Sequence, residues 1–209
     1  MSALPDKIVV ASGNAGKLRE LSRLLDVLQI EVVPQSVFGV SEAIEDGSTF
    51  AENSLIKARH ASRATGLPAL GDDSGLVVEA LDGQPGIRSA RYAGAGASDA
   101  ANNRKLLQAL AGFPSDRREA CFYCAMALVR HAEDPAPLLA TGSWRGRILE
   151  KPLGDGGFGY DPLFWVAEEG RTSAQLSPER KNRLSHRGQA LAALLRLVES
   201  ELEGAGLAT

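Results

Sequence analysis

The first eighty residues alternate short apolar runs with apolar positions at helical spacing. The β-branched run Lys7–Ala11 predicts a buried strand, and the apolar run 30–33 predicts a second one. Between them, Leu18, Leu21 and Leu25 recur on one helical face. Thr49 followed by Glu52 matches a capping box, which predicts a helix of about 16 residues ending at Thr65. This part of the chain therefore predicts alternating strands and helices.

The second half of the chain predicts a different arrangement. Residues 99–110 are predicted to be helical, and 120–130 and 138–149 are predicted to form two long strands joined by a polar turn. We interpret this hairpin as the best candidate for a second lobe or for a dimer surface. Together with the alternating first half, it predicts an α/β fold with a partly mixed sheet.

Two adjacent carboxylates, Asp72 and Asp73, lie among small residues just before an apolar run. We interpret the segment as an acidic turn that leads into a strand over 76–81. Repulsion between neighbouring carboxylates is relieved by water or by a cation, and a hard ion such as Mg²⁺ prefers oxygen ligands. The alternative is a solvated turn with no bound ion.

A glycine-rich segment, 12–17, connects the first predicted strand to the first helix. The start of a helix after such a turn presents backbone N–H groups that suit an anion. Lys17 lies where the helix dipole is already positive, and a bound phosphate would offset that conflict. The spacing differs from a Walker A loop, and Leu18 replaces its Ser or Thr. An ordinary turn with a solvated lysine is the alternative.

Two later polar segments are also candidates for binding. Residues 154–159 match G-x-G-x-x-G by letter, but the strand-like stretch 160–166 follows, so we reject a dinucleotide-binding fingerprint. The remaining interpretation is a glycine loop with Phe158 as a stacking surface for a base or as a buried anchor. Residues 181–188 supply donors before the last helix, suited to a carbonyl or phosphate acceptor, unless they are simply solvated.

Composition narrows the classes of function. The chain has 209 residues, a net charge of −3 and a hydrophobic share of 44%, which are typical of an ordinary globular protein without a basic field for nucleic acid. No apolar run is long enough to span a bilayer, and the first residues hold no signal peptide. Cys121 and Cys124 are the only cysteines. We interpret them as core residues of a strand, because a zinc site would need a second pair. So low a cysteine count suits a reducing compartment, so we expect a cytoplasmic protein.

Six motifs in one order make the chain recognisable. They are Ser12–Lys17, Thr49–Asn53 with Lys57-Ala58, Asp72–Leu76, Pro85–Tyr92, Gly156–Pro162 and Ser185–Arg187. From about Ile8 to Ala192 the chain closely resembles the Ham1/RdgB inosine triphosphate pyrophosphatase family. Six motifs in register are far more specific than any one of them.

The resemblance implies a single Ham1-like domain over 1–209, with an elongated mixed sheet, flanking helices and two lobes around a central nucleotide cleft. It implies a homodimer that requires Mg²⁺. It also implies hydrolysis of non-canonical purine nucleoside triphosphates (ITP, dITP and XTP) to the monophosphate and pyrophosphate, which cleanses the nucleotide pool.

The resemblance also implies residue roles. Asp73 is the expected proton acceptor and, with Glu45, the expected Mg²⁺ ligand, with Asp46 a possible rival to Glu45. Because a cation makes its own ligand a weaker base, the alternative is that Asp73 acts only as a metal ligand and positions a metal-bound hydroxide. The phosphates are assigned to the loop and a lysine of the second helix: Ser12, Gly13, Asn14, Ala15, Gly16, Lys17 and Lys57. Other substrate contacts are assigned to Ser74, Phe158, Gly159, Tyr160, Asp161, Lys181, His186 and Arg187.

Base choice follows from the chemistry of the purine 6-position. Inosine and xanthosine carry a carbonyl there, so donors from Lys181, His186 or Arg187 would disfavour adenine, whose amine leaves those donors unpaired. Two other classes of function remain open. One is a nucleotide-binding regulator without turnover, which would not need the acidic pair. The other is a nucleic-acid-binding module, which the acidic net charge argues against.

Overall fold

The computed structural model describes residues 7–25 and 30–204, so both ends of the predicted domain over 1–209 lie outside the described residues. The strands are β1 (Lys7–Ala11), β2 (Glu31–Pro34), β3 (Ala69–Val78), β4 (Glu119–Val129), β5 (Leu138–Ile148), β6 (Phe164–Val166) and β7 (Arg171–Thr172). The helices are α1 (Ala15–Leu25), α2 (Phe50–Thr65), α3 (Asp99–Ala109), α4 (Pro178–Leu184) and α5 (His186–Gly204).

The strands of the described residues form one sheet of seven, in the order β2-β1-β3-β4-β5-β6-β7. Strand β1 pairs in parallel with β2, from Lys7 opposite Glu31, and with β3, from Val9 opposite Ala69. At the other end of the order, β5, β6 and β7 pair antiparallel. The fold is therefore α/β with a mixed sheet and flanking helices, as predicted.

The chain divides into two compact units. The first unit comprises the described residues within 1–73, 124–142 and 187–209, and the second unit comprises 74–123 and 143–186. Strands β3, β4 and β5 contribute residues to both units.

The first unit packs helices on both faces of its strands. Strand positions Ile8, Val10 and Leu70 share one buried cluster with α1 and α5. The alternate positions Val9 and Ala69 pack with Ala58 and Ala61 of α2. Successive side chains of a strand point to opposite faces, so every position of β3 in this unit faces either α1 and α5 or α2.

The second unit has its own core. It joins α3 to the second-unit parts of the strands and is rich in aromatic side chains; Phe122 and Phe164 lie 4.5 Å apart between ring centroids, and Trp144 and Phe164 lie 5.2 Å apart. Such pairs add stability beyond the area they bury.

Several local predictions are confirmed. Helix α2 spans Phe50–Thr65, and both halves of the Thr49–Glu52 capping box are formed. The two predicted long strands are β4 and β5, neighbours in the sheet. Cys121 and Cys124 lie on β4 as free thiols, with Cys124 fully buried. No helix among residues 7–25 and 30–204 is long and apolar enough to cross a membrane.

Three local predictions are wrong. Asp72 and Asp73 lie inside β3 and not in a turn, because each carboxylate has cationic partners on its own face of the strand. The predicted strand 160–166 is a strand only from Phe164, since residues 160–163 form a turn. The segment 181–188 does not wholly precede the last helix, because Lys181 lies in α4 and α5 already begins at His186.

Candidate active site

The two neighbouring aspartates of β3 have different surroundings. Asp72 follows the alternation of Leu70 and faces α1 and α5, whereas Asp73 faces α2. Both are buried, with relative exposures of 0% and 5%. One strand therefore divides the acidic pair between two separate clusters of polar side chains.

Asp72 is held in a dense set of donors. Its Oδ1 lies 2.7 Å from Nζ of Lys17, and its Oδ2 accepts from Nε of Arg187 at 2.8 Å and from Sγ of Cys124 at 3.3 Å. Arg187 also donates to Glu20. Burial alone would raise the pKa of Asp72, but Arg187 and Lys17 hold it well below its ordinary value. A carboxylate with this many donors is a structural ion pair with little capacity for a further ligand.

Asp73 has fewer and more adaptable partners. Its Oδ1 accepts from Nζ of Lys57 at 2.9 Å and its Oδ2 accepts from Nδ2 of Asn53 at 3.3 Å. The same ammonium lies 3.0 Å from Oε1 of Glu45. Burial would lower the pKa of Lys57, but the carboxylates of Asp73 and Glu45 outweigh it and the pKa is raised. The two predicted metal ligands, Glu45 and Asp73, thus converge on one cation.

The close approach of α2 to β3 makes this cluster possible. A side chain on Gly71 would collide with the backbone carbonyl of Ser54 in α2. The loop that carries Glu45 is attached to the same helix, because the amide of Gly47 donates to Oδ1 of Asn53 at 2.9 Å. Asn53 therefore contacts both Asp73 and the loop that carries Glu45, and its position one helical turn before Lys57 places the two side chains on one face.

The predicted phosphate loop is ordered by its own side chains. Asn14 Oδ1 accepts from the amides of Gly16 at 2.8 Å and Lys17 at 3.1 Å, and Ser12 Oγ accepts from the amide of Asn14 at 3.2 Å. Asn14 thus caps α1, and the ammonium of Lys17 pairs with Asp72. Gly13, Asn14 and Ala15 are exposed. The carboxylate of Glu42 lies against Gly13, where a side chain would collide with it, so an acidic oxygen is accommodated at this backbone.

In the second unit, Asp161 organises the glycine loop. Its Oδ2 accepts from the amide of Phe158 at 2.8 Å and from Nζ of Lys181 at 2.5 Å, and its Oδ1 accepts from Ser173 at 2.9 Å. Gly157 has a positive φ of 72°, and a side chain there would collide with Asp161. The ammonium of Lys181 also lies 4.8 Å from the centroid of the Phe158 ring. The loop therefore presents a half-buried aromatic ring next to a cation.

The other predicted contacts of this unit differ in accessibility. Tyr160 is a core residue, and its hydroxyl donates to the carbonyl of Ser89 at 2.8 Å. The Tyr160 side chain therefore supports the glycine loop from its buried side. His186 is buried and stacks on Phe122 with ring centroids 4.8 Å apart. Ser74 is half-buried on β3, and Gly159 is held through its amide by Asp99 at 2.7 Å.

Residues 8–197 match the sequence profile of the Ham1 family. The chain belongs to the Ham1 family. A dITP/XTP pyrophosphatase of Nitrosomonas europaea is 60% identical over 193 residues, which are 92% of this chain and 94% of that protein. One from Vibrio cholerae is 55% identical over 195 residues, which are 93% and 98% of the two chains.

Solved Ham1 structures share the fold. A Ham1 protein from Coxiella burnetii superposes with a TM-score of 0.83 at 49% identity and covers 94% of this chain and 98% of its own. The Staphylococcus aureus Ham1 protein gives a TM-score of 0.81 at 38% identity and covers 93% of this chain and 99% of its own. These likenesses extend over nearly all of each chain, so the mixed α/β architecture is that of the Ham1 family.

The donor set of the Asp73 cluster fits Mg²⁺. Glu45, Asp73 and Lys57 together carry one net negative charge, whereas Glu20, Asp72, Arg187 and Lys17 are balanced. Across the part of the chain that the structure describes, no three His, Cys, Asp or Glu side chains form a metal site by themselves. Mg²⁺ is usually bound through one or two carboxylates together with waters and substrate phosphates, which is the number of carboxylates that this cluster supplies.

Sequence reasoning missed two residues of these clusters. Glu20 lies in the middle of α1, and only the fold brings Arg187 to it from more than 160 positions away. Asn53 was identified only as the end of the Thr49–Asn53 motif, and its contact with Gly47 depends on the loop before the helix. The predicted substrate contact of Arg187 remains a prediction, since the structure shows its guanidinium 1% exposed and bound to two carboxylates.

Proposed function

We propose that this Ham1 family member hydrolyses non-canonical purine nucleoside triphosphates, namely ITP, dITP and XTP, to the monophosphate and pyrophosphate. The names of its close relatives support this reaction. The observation that carries the proposal is the Asp73 cluster. Its two carboxylates face one ammonium, and the three groups together bear one net negative charge, so the cluster suits a divalent cation that accompanies a triphosphate.

We propose Mg²⁺ as the cofactor, with Glu45 and Asp73 as its protein ligands. When bound, Mg²⁺ supplies charge neutralisation for the phosphates and for the departing pyrophosphate. Lys57 lies between the same carboxylates, so its ammonium would balance their charge before the metal binds. Asp46 remains the rival to Glu45, since it follows directly in the loop.

The chain's own residues carry the remaining chemistry. The oxygen of a water attacks the α-phosphorus, its proton passes to Asp73, and the bond from the α-phosphorus to the bridging oxygen breaks with its electron pair on pyrophosphate. Asn53 and Lys57 hold the Asp73 carboxylate in one orientation, and a proton acceptor must be held within reach of the water it deprotonates. Lys17 and the loop 12–17 neutralise and orient the phosphates.

We assign recognition of the base to the second unit. Phe158 supplies the stacking surface, and Lys181 is a donor for the 6-carbonyl group, while Asp161 fixes the position of that ammonium. A donor at this point favours inosine and xanthosine over adenosine, whose 6-amine is itself a donor. His186 is the second candidate donor.

The deciding experiment identifies the products. The protein is incubated with ITP and Mg²⁺, and the products are separated by anion-exchange chromatography with a colorimetric assay for orthophosphate. We expect IMP and pyrophosphate, and no reaction when EDTA is present. As a control, the same assay is run on Asp155→Asn, which removes an exposed carboxylate outside the Asp73 cluster, and the same products are expected. IDP with orthophosphate would show that the assigned bond is not the one cleaved.

The homodimer and the cytoplasmic location are also proposals. The location rests on two cysteines that are both free thiols. The dimer rests on family membership, with the hairpin of β4 and β5 as one contributing surface. Light scattering at micromolar concentration tests it, and a monomeric mass would contradict it.

A further inference from the structure

Four charged side chains of the first unit, three of them buried, form a chain of alternating sign. Glu20 accepts from Arg187, Arg187 donates through Nε to Asp72 at 2.8 Å, and Asp72 lies 2.7 Å from the ammonium of Lys17. The proposed reaction uses only the last of these groups directly. The relative exposures of Glu20, Asp72 and Arg187 are 8%, 0% and 1%, so these three are not placed to meet a solvated ligand.

The geometry at Asp72 fixes the ammonium of Lys17. Besides the contact with Oδ1, Nζ of Lys17 lies 3.3 Å from the backbone carbonyl of Asp72. Both oxygens of the carboxylate are engaged, because Arg187 and Cys124 approach Oδ2. A lysine ammonium is a compact charge on a flexible stem with four rotatable carbons, and here two oxygens of one rigid strand residue hold its end.

Glu20 has its own part in this arrangement. Arg187 is buried, and with Asp72 as its only carboxylate partner it would compete with Lys17 for that charge. Glu20 accepts from Nη1, on a different nitrogen from the Nε that contacts Asp72. The four side chains together are electrically balanced, so Asp72 can be shared between Arg187 and Lys17.

We propose that Glu20 and Asp72 are positioning residues for Lys17. Asp72 holds the ammonium of Lys17 directly at the place where it meets the phosphates, and Glu20 does so through Arg187. The proposal rests on the proposed function, since it concerns the role of Lys17 in phosphate binding. Neither residue touches substrate. Their effect on turnover therefore passes through the ammonium of Lys17 alone.

A double-mutant cycle tests this dependence. The kcat/KM for ITP with Mg²⁺ is measured for wild type, Glu20→Gln, Lys17→Met and the double variant. Removal of a partner that orients an active group typically costs about tenfold or more, so we expect Glu20→Gln to lower kcat/KM about tenfold in the wild-type background. In the Lys17→Met background the same change is expected to have little further effect, because the group it positions is already gone.

The controls separate positioning from folding. Glu31→Gln also removes a carboxylate that is paired with a lysine, because Glu31 lies 3.0 Å from Nζ of Lys7, but this pair is on the surface. We therefore expect Glu31→Gln to keep the wild-type kcat/KM. Glu20→Asp keeps the charge and is expected to recover part of the loss. Melting temperatures are measured for all four proteins of the cycle, and the coupling is expected in kcat/KM without a matching coupling in stability.

The outcomes are distinct. Equal losses from Glu20→Gln in both backgrounds would overturn the proposal, because they would mean that Glu20 acts without Lys17. If Glu20→Gln does not fold, Cys124→Ala replaces it in the cycle, since it removes another donor to Asp72, and additive losses there overturn the proposal equally. Failure of the wild-type protein to hydrolyse ITP would instead refute the proposed function.

Discussion

The two aspartates of β3 should respond differently to the same chemical change. In Asp73→Asn the amide no longer accepts a proton or binds Mg²⁺ strongly, so we expect kcat to fall by about 10²-fold or more. The fold should survive, because Lys57 keeps Glu45 as a partner at 3.0 Å. Loss of one charge-assisted hydrogen bond costs about 1.5–3 kcal/mol of unfolding free energy, and the lower end applies here because the asparagine oxygen can still accept.

Asp72→Asn should be the more destabilising change. Breaking a fully buried ion pair costs about 3–5 kcal/mol, and here Arg187 and Lys17 both lose a charged partner. The unfolding entropy is about 2.1 cal/mol/K per residue, which for 209 residues gives about 0.44 kcal/mol/K. A loss of about 3 kcal/mol therefore lowers the melting temperature by about 7 °C, about twice the shift expected for Asp73→Asn.

The assay combines calorimetry with steady-state kinetics on the same preparations. Asp72→Asn should be the less stable of the two variants, and its kcat/KM should fall because the ammonium of Lys17 loses its charged partner. Asp73→Asn should lose the larger share of kcat. If Asp73→Asn retains more than about a tenth of wild-type kcat, or melts below Asp72→Asn, the assignment of the two carboxylates is reversed.

Four further predictions rest on individual contacts. Gly71→Ala should cost about 1–3 kcal/mol of stability, because its Cβ meets the Ser54 carbonyl. Calorimetry compares it with Gly112→Ala, where a Cβ meets open space, and equal stability of the two variants would contradict the close packing. The lowered pKa of Asp72 contributes stability that is present above its unfolded pKa of about 3.9 and is lost as the pH falls further, so melting curves between pH 2 and 5 should fall less steeply for Asp72→Asn than for wild type. Phe158→Ala should weaken binding of ITP and ATP alike by about 1–3 kcal/mol. Arg187→Lys tests whether the guanidinium contacts the base. Because Arg187 is buried, we expect equal losses of kcat/KM for both nucleotides, and a selective loss for ITP would support direct contact with the 6-carbonyl.

Local signals were sufficient where the determinants are close in sequence. The capping box of α2 uses residues three apart, and both of its hydrogen bonds form. The start of α4 had similar signals, Ser177 as a cap followed by Pro178, and the Ser177 side chain accepts from the amide of Arg180 at 3.2 Å. That helix could therefore have been predicted, but its basic residues were interpreted as a donor segment before the last helix.

Long-range pairing was beyond local reasoning. Two aspartates among small residues are typical of a turn, and nothing near residue 72 indicates that Lys17 and Arg187 neutralise one of them inside a strand. Donor chemistry near residue 187 was recognised, but its acceptors were not, because a sequence does not show which side chains become buried together. The acidic pair itself and the phosphate-loop lysine were identified from sequence, and the fold supplied their partners.

The alternation of β3 makes the roles of the two aspartates depend on the register of one strand. A shift by one residue would place Ser74 at the position of Asp73, or Gly71 at the position of Asp72, so one of the two clusters would lose its carboxylate. Packing around Gly71 and Leu70 opposes the same shift. After such a shift a leucine or an aspartate would stand where Gly71 now meets the carbonyl of Ser54, and an apolar core position would receive a residue without the right shape. The uncharged residues that precede the acidic pair and the ion pairs of the aspartates thus select the same register, and with it which carboxylate is enclosed by Arg187 and Lys17 and which one faces Lys57 and Glu45.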